Sequence, residues 1–422
     1  MEKINIDGID ETIYKGICDN GLEVYIWPSE KVKTTYMTLS VKYGSLDTEF
    51  KVDGKQYNVS NGTAHFLEHI KFNQKDGTSA HEYFTKLGAD TNAFTTFKYT
   101  SYLVYTIDNI KENLCHLLDF VFEPFFNNKM IQKEKGIIIE EAKMGKDSPG
   151  TLSYFGVNQA LFQKSKYRNF VTGDVDDIKK ISLNDIKIVY DSFYVPNNMF
   201  LCITGNVNPL EIFEIVKENQ KDNQKSEHKV EKIKTSEPEE VNEVYKKIKS
   251  NLMSPMGTIA LKIPKKKFKG YTDLDIKEYL SLALNINFGS TSEFKDELMS
   301  SKLITGLGTN VSISDGYVII KINFDSRFPD EIVKMIEDKL NNLELSKKDF
   351  TRKVNASVAT CILAFEDVEI VNSTIQEQLI NYDKIIYDYK TYLENLDYKI
   401  LEDITKKINM DNKVTFIMVP NK

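Results

Sequence analysis

The chain predicts an α+β fold of two related domains, each a mostly antiparallel sheet packed with helices. Three observations carry that expectation. At 422 residues and 41% hydrophobic, with 24 Phe and 22 Tyr, it exceeds what one ordinary core organises. Short segments of alternating polarity, such as residues 36–43, interleave with longer helical patterns such as residues 110–122. The same order recurs later: residues 257–263 read as a strand, 274–284 as a helix, 318–324 as a strand and 330–343 as a helix. The recurrence is of pattern rather than residues, as expected of a diverged duplication. Between the two halves, residues 216–240 are polar, charged and without apolar period. They read as a solvated linker separating a domain at 1–215 from one at 241–422. Trp27-Pro28 reads as a strand end.

The chemistry is concentrated in His65-Phe66-Leu67-Glu68-His69. At about 100° per residue, His65, Glu68, His69 and Phe72 share one helical face, while Phe66, Leu67 and Ile70 share the packing face. Gly62-Thr63 supplies a turn and a hydroxyl expected to cap the helix. Imidazoles at i and i+4 reach one zinc ion, and a hydrolytic zinc site keeps one position open for water. Glu68 is badly placed to ligate as well but reaches that water, so it is expected to act as general base. Zinc lowers the water's pKa to about 7, within a carboxylate's reach. The plainer alternative is a half-buried helix with two satisfied histidines. With five histidines in the chain (His65, His69, His81, His116, His228), chance is a poor source of this spacing. His81 and His116 sit in amphipathic contexts and read as surface or packing residues.

A third ligand is expected from residues 130–144, where Ile131, Ile138 and Ile139 suggest a partly buried helix. Its candidate carboxylates are Glu134, Glu140 and Glu141. Glu134 and Glu141 are close to two turns apart and share a face, with Glu140 about 100° away. A ligand stacked with a supporting carboxylate fits that pair and favours Glu141. A solvated acidic face fits it too.

With these residues in hand, the block Ala64-His-Phe-Leu-Glu-His69 followed by Glu134 and Glu141 resembles the inverted-zincin metallopeptidases of the pitrilysin and insulysin type, which include the mitochondrial processing peptidase. Gly21-Leu-Glu-Val-Tyr-Ile, Val41-Lys-Tyr-Gly-Ser-Leu-Asp, Leu87-Gly-Ala-Asp-Thr-Asn-Ala-Phe-Thr and Phe193-Tyr-Val-Pro-Asn-Asn-Met-Phe fall in that family's order and approximate spacing. The resemblance covers most of the first half. Phe66-Leu-Glu-His69 and Lys133-Glu-Lys-Gly-Ile137 also resemble the YmfH-type zinc proteases of Gram-positive bacteria. The resemblance implies a Zn2+-dependent peptidase acting on extended peptides. His65, His69 and Glu141 would hold the metal, Glu68 would be the base and Glu134 a supporting catalytic carboxylate. It also implies that residues 92–95 form an edge strand whose Asn92, Ala93 and Phe94 bind the substrate, although an ordinary core strand has the same composition.

One departure from the family tempers this. Many active relatives carry an Arg and a Tyr in the second half, and the matching residues 287–308 contain neither. Loss of an oxyanion donor costs about 10²- to 10³-fold in rate. A homologous or identical partner subunit is therefore expected to complete the site, with a non-catalytic peptide-binding or scaffold subunit as the alternative function. No histidine lies beyond residue 228, so the second half has no comparable site.

The net charge of −7, with Lys mixed among Glu and Asp, argues against nucleic acid as a partner. No signal-peptide pattern opens the chain and no run of about twenty apolar residues crosses it, so no membrane association is expected. Cys18, Cys115, Cys202 and Cys361 are widely spaced and read as buried free thiols of a cytoplasmic protein. Richness in Lys, Ile and Asn suggests a bacterial source.

Overall fold

The computed structural model describes residues 1–421. Its strands are β1 (Glu2–Asn5), β2 (Thr12–Ile17), β3 (Glu23–Pro28), β4 (Thr35–Val41), β5 (Glu49–Val52), β6 (Lys55–Asn58), β7 (Asp90–Thr95), β8 (Thr100–Thr106), β9 (Met199–Gly205) and β10 (Val230–Lys232). The later ones are β11 (Tyr245–Ser250), β12 (Met256–Pro264), β13 (Gly306–Ser314), β14 (Tyr317–Asp325) and β15 (Lys413–Pro420). A seven-stranded sheet runs β1-β2-β3-β9-β4-β8-β7, and a five-stranded sheet runs β11-β15-β12-β14-β13.

The duplication is visible in these orders. β3 pairs with β9 in parallel and every other pair of the large sheet is antiparallel. In the smaller sheet β11 pairs with β15 in parallel and the rest are antiparallel. Strands β3, β4, β7, β8 and β9 therefore correspond in order and direction to β11 through β15. The α+β class of two related, mostly antiparallel halves holds.

The compact units are not linear pieces of the chain. One comprises Met1–Ala142, Phe170–Ile233 and Thr360–Thr391. The other comprises Lys143–Asn169, Lys234–Ala359 and the chain from Tyr392 onward. The physical reason is an exchange of helices. β4 alternates as its sequence suggests, with Met37, Leu39 and Val41 in the main core of the first unit. Its other face is not solvated but covered by helix Val368–Tyr382, whose Val368, Val371, Ile375 and Leu379 pack on Tyr25, Trp27, Tyr36 and Phe200. Thr38 Oγ1 donates to Asn372 Oδ1 at 2.7 Å and Ser40 Oγ to Gln376 Oε1 at 3.1 Å, so the buried hydroxyls are satisfied. In the second unit, helix Pro149–Leu161 does the reciprocal job. Its Gly156 lies so close to Phe416 that a Cβ there would meet the ring at 2.4 Å.

Expressed alone, residues 1–215 would lack this cover and expose the Tyr36, Trp27 and Phe200 face. Broad, non-cooperative urea unfolding by circular dichroism is expected of that fragment. A sharp two-state transition would contradict the exchange.

The segment expected to be a solvated linker is more structured than its composition suggests. Helix Pro209–Gln220 extends into it, β10 pairs with β5, and Glu237 is buried. Two of its charges reach partners elsewhere in the chain: Lys232 Nζ lies 2.8 Å from Asp47 Oδ2, and Glu237 Oε1 lies 2.7 Å from Lys262 Nζ. None of the four cysteines is in a disulfide, but only Cys18 and Cys202 are buried, with Cys115 and Cys361 partly exposed.

Candidate metal centre

Helix Thr63–Lys71 presents the His65 to His69 block from the floor of the first unit's core, with Phe66, Leu67 and Ile70 fully buried. It begins on Gly62, in the left-handed region at φ 84°, and a Cβ there would meet the Thr172 carbonyl oxygen at 2.3 Å. The expected hydroxyl cap is absent, because Thr63 Oγ1 instead donates to Ser60 O at 2.7 Å. At the other end, Lys71 is buried, donates to the Glu123 carbonyl, and lies over the rings of Phe126 and Tyr190 at 5.3 and 4.9 Å. Burial pushes its ammonium down to about 7, against the pull of Glu123.

The second contribution comes from helix Asn128–Asp147, seated by Met130, Ile131, Ile138 and Ala142. Glu134 is buried on that face, Glu141 is about half exposed, and Glu140 is exposed elsewhere. Glu141 Oε1 lies 3.5 Å from His65 Nε2, and Glu141 Oε2 lies 3.3 Å from His69 Nε2. Glu134 Oε2 faces the other nitrogen of His69, Nδ1, at 3.8 Å. The His65 and His69 imidazoles hold the Glu141 carboxyl well below the usual carboxylate range. Burial opposes a charged His69, but Glu134, Glu141 and Glu68 outweigh it and push the imidazole up to about 9. His65 Nδ1 is buried without a hydrogen-bond partner.

These separations suit a shared ion better than direct hydrogen bonds. Four ligands at about 2.0–2.1 Å around a tetrahedral zinc stand about 3.3–3.4 Å from one another. The 3.3 and 3.5 Å spacings, each to a different oxygen of Glu141, lie close to that edge length. Two imidazoles and a carboxylate are the donor set zinc takes, and Glu134 on His69 Nδ1 is the orienting contact such ligands have. Glu68 is also near: ligand atoms of His65, Glu68 and His69 lie within 4.8 Å of one another. Its Oε2 accepts a short hydrogen bond from Thr95 Oγ1 at the end of β7.

β7 itself is the outer strand of the large sheet, pairing only with β8 among the described strands. Asn92 is exposed, and Ala93 and Phe94 are partly so. Two histidines outside the centre pack on aromatic rings: His81 stacks on Phe72 at 4.4 Å and His116 on Tyr83 at 3.7 Å. Sequence reading passed over Thr95, Lys71 and Asn73, whose Nδ2 lies 3.4 Å from Glu134 Oε1. Thr95 belongs to a segment it did single out, yet no periodicity links that hydroxyl to a carboxylate 27 residues earlier.

Residues 26–174 match the family model described as Insulinase (Peptidase family M16), and residues 180–357 match the one described as Peptidase M16 inactive domain. The chain is 31% identical over 435 residues to a protein of Bacillus subtilis (strain 168) named uncharacterized zinc protease YmfH, with all of both chains covered. This chain belongs to the M16 peptidase family. The M16 fold extends across its length. A crystal structure of a putative M16-like peptidase from Alicyclobacillus acidocaldarius superposes with TM-score 0.92 at 23% identity, covering 98% of this chain and 99% of that one. Pitrilysin superposes with TM-score 0.77 at 17% identity, where all of this M16 chain covers 46% of the pitrilysin chain. Among the described residues, no helix is long and apolar enough to cross a membrane.

Proposed function

We propose that this M16 chain is a zinc-dependent endopeptidase that hydrolyses extended peptides. His65, His69 and Glu141 hold the ion, Glu68 is the general base, and Glu134 orients His69. The observation that carries this reading is the meeting of two imidazoles and a carboxylate from separate helices at the spacing of one coordination shell. The relatives' zinc-protease names support it.

Bound zinc would supply Lewis-acid polarisation of the peptide carbonyl and acidify water. Glu68 accepts a proton from the attacking water on the oxygen that Thr95 leaves open, and returns it to the departing amine as the C–N bond breaks. The water oxygen stays in the new carboxyl group. The outer edge of β7 offers main-chain hydrogen bonds to an extended substrate beside Asn92, Ala93 and Phe94.

A homologous or identical partner subunit belongs to the same reading. Residues 287–308 hold neither Arg nor Tyr, and the pitrilysin chain that shares this fold is more than twice as long. A cytoplasmic location in a bacterium accompanies it, supported by four cysteines outside any disulfide and a Bacillus relative.

Two variants test the ligand set. After dialysis against a chelating competitor, Glu134→Gln is expected to have lost about 10- to 100-fold in zinc affinity, and Glu141→Gln more. Metal analysis of the dialysed proteins reads both. Equal zinc in wild type and Glu141→Gln would remove Glu141 from the ligand set and return the third position to Glu134 or Glu140.

A further inference from the structure

The donor atoms of His65, Glu68 and His69 are close enough to one another for Glu68 to serve as a third ligand, and a carboxylate cannot both ligate and act as base. Something must decide between the two roles. Thr95 is the group in contact with that choice. Its hydroxyl donates to Glu68 Oε2, and an ionised carboxylate offers only acceptor lone pairs, so the bond turns one oxygen away and leaves the other.

Thr95 is also held from behind. The turn after it is closed by Thr96 N donating to Tyr99 O at 2.8 Å and Tyr99 N donating to Thr96 Oγ1 at 3.0 Å. A second loop grips the same turn: Ser45 N donates to Thr96 O and Leu46 N to Phe97 O, both at 3.0 Å. Gly44 lets that loop approach, since a Cβ there would meet Phe97 O at 2.5 Å. The backbone that carries Thr95 is therefore held at the turn that follows it, so the hydroxyl is presented to Glu68 from a fixed position.

We propose that Thr95 is a positioning residue that keeps Glu68 out of the ion's coordination shell and so commits it to proton transfer. The inference rests on the zinc-peptidase reading above. It adds a consequence: β7, the strand whose open edge suits a peptide, also sets the base, so substrate docking and base placement share one rigid element.

The test uses the full chain loaded with Co2+, whose visible absorption reports coordination number without any turnover. Thr95→Val removes the donor at nearly constant volume, and Thr95→Ser keeps it. In Thr95→Val the cobalt bands are expected to weaken as Glu68 joins the shell, with kcat down about 10- to 100-fold and KM little changed. In Thr95→Ser both the spectrum and kcat are expected to return toward wild type, which separates loss of the hydroxyl from damage to the fold. The proposal is overturned if Thr95→Val has the wild-type cobalt spectrum and kcat, or if Thr95→Ser is as impaired as Thr95→Val. A wild-type chain that takes up no cobalt or zinc would instead overturn the metal centre itself, and this inference with it.

Discussion

Glu68→Gln is expected to lower peptide hydrolysis by about 10²- to 10⁴-fold while bound zinc stays at the wild-type level. The amide is nearly isosteric and keeps an oxygen for the Thr95 hydroxyl, so the local geometry survives. What it lacks is the capacity to accept a proton from water and return it to the amine. Metal content measured alongside kcat, with and without a candidate partner subunit, separates the outcomes. Loss of zinc together with activity would make Glu68 a ligand. Unchanged hydrolysis would exclude it as the base. A wild-type chain that binds peptide without turnover, whatever partner is added, would favour the scaffold reading.

The second large effect concerns stability rather than chemistry. Lys262 and Glu237 form an ion pair with both side chains fully buried. Besides Glu237, Lys262 Nζ donates to the carbonyls of Pro238 at 2.7 Å, Glu240 at 3.2 Å and Leu161 at 3.3 Å. Glu237 in turn accepts from the backbone N–H groups of Gln163, Lys164 and Ser165 at 2.9, 2.8 and 2.7 Å. The pair thus ties the end of helix Pro149–Leu161 and the strap before β11 onto β12. Burial disfavours the Glu237 charge, but Lys262 and the three N–H groups hold its carboxyl below the usual range.

Removing one partner strands the other charge. Lys262→Met is expected to cost about 3–5 kcal/mol in urea unfolding. Glu237→Gln is expected to be destabilising as well, because the amide nitrogen would face a backbone N–H donor and Lys262 would lose its counter-charge. A cost below about 1 kcal/mol for Lys262→Met would mean that water reaches the site, and the pair would then be no anchor.

These residues also show where sequence reading succeeds and stops. The spacing of His65, Glu68 and His69 carries its own geometry, because 3.6 residues per turn puts them on one face wherever the helix lies. Strands and helices with clean periods fared likewise: residues 110–122 form a helix with those same bounds, and 257–263 lie inside β12. The duplication was legible because element order is a property of the chain. Lys262 was not legible, since in sequence it is one lysine among many in a strand of alternating pattern. Within residues 216–240, which are mostly exposed, the pairing of β10 with β5 and the burial of Glu237 depend on partners far away in the chain, which composition does not report.

What the sequence by itself determined is therefore local: the helical face bearing two imidazoles and a carboxylate, the α+β pattern in two rounds, and the shared helical face of Glu134 and Glu141. What only the tertiary structure decided is non-local: the 3.3 and 3.5 Å approach of Glu141 to the imidazoles, the Thr95 hydrogen bond to Glu68, and the exchange of helices between the two halves of the chain. Backbone periodicity fixes directions within a few turns. Contacts between segments tens to hundreds of residues apart depend on how whole surfaces pack, which no short-range pattern encodes.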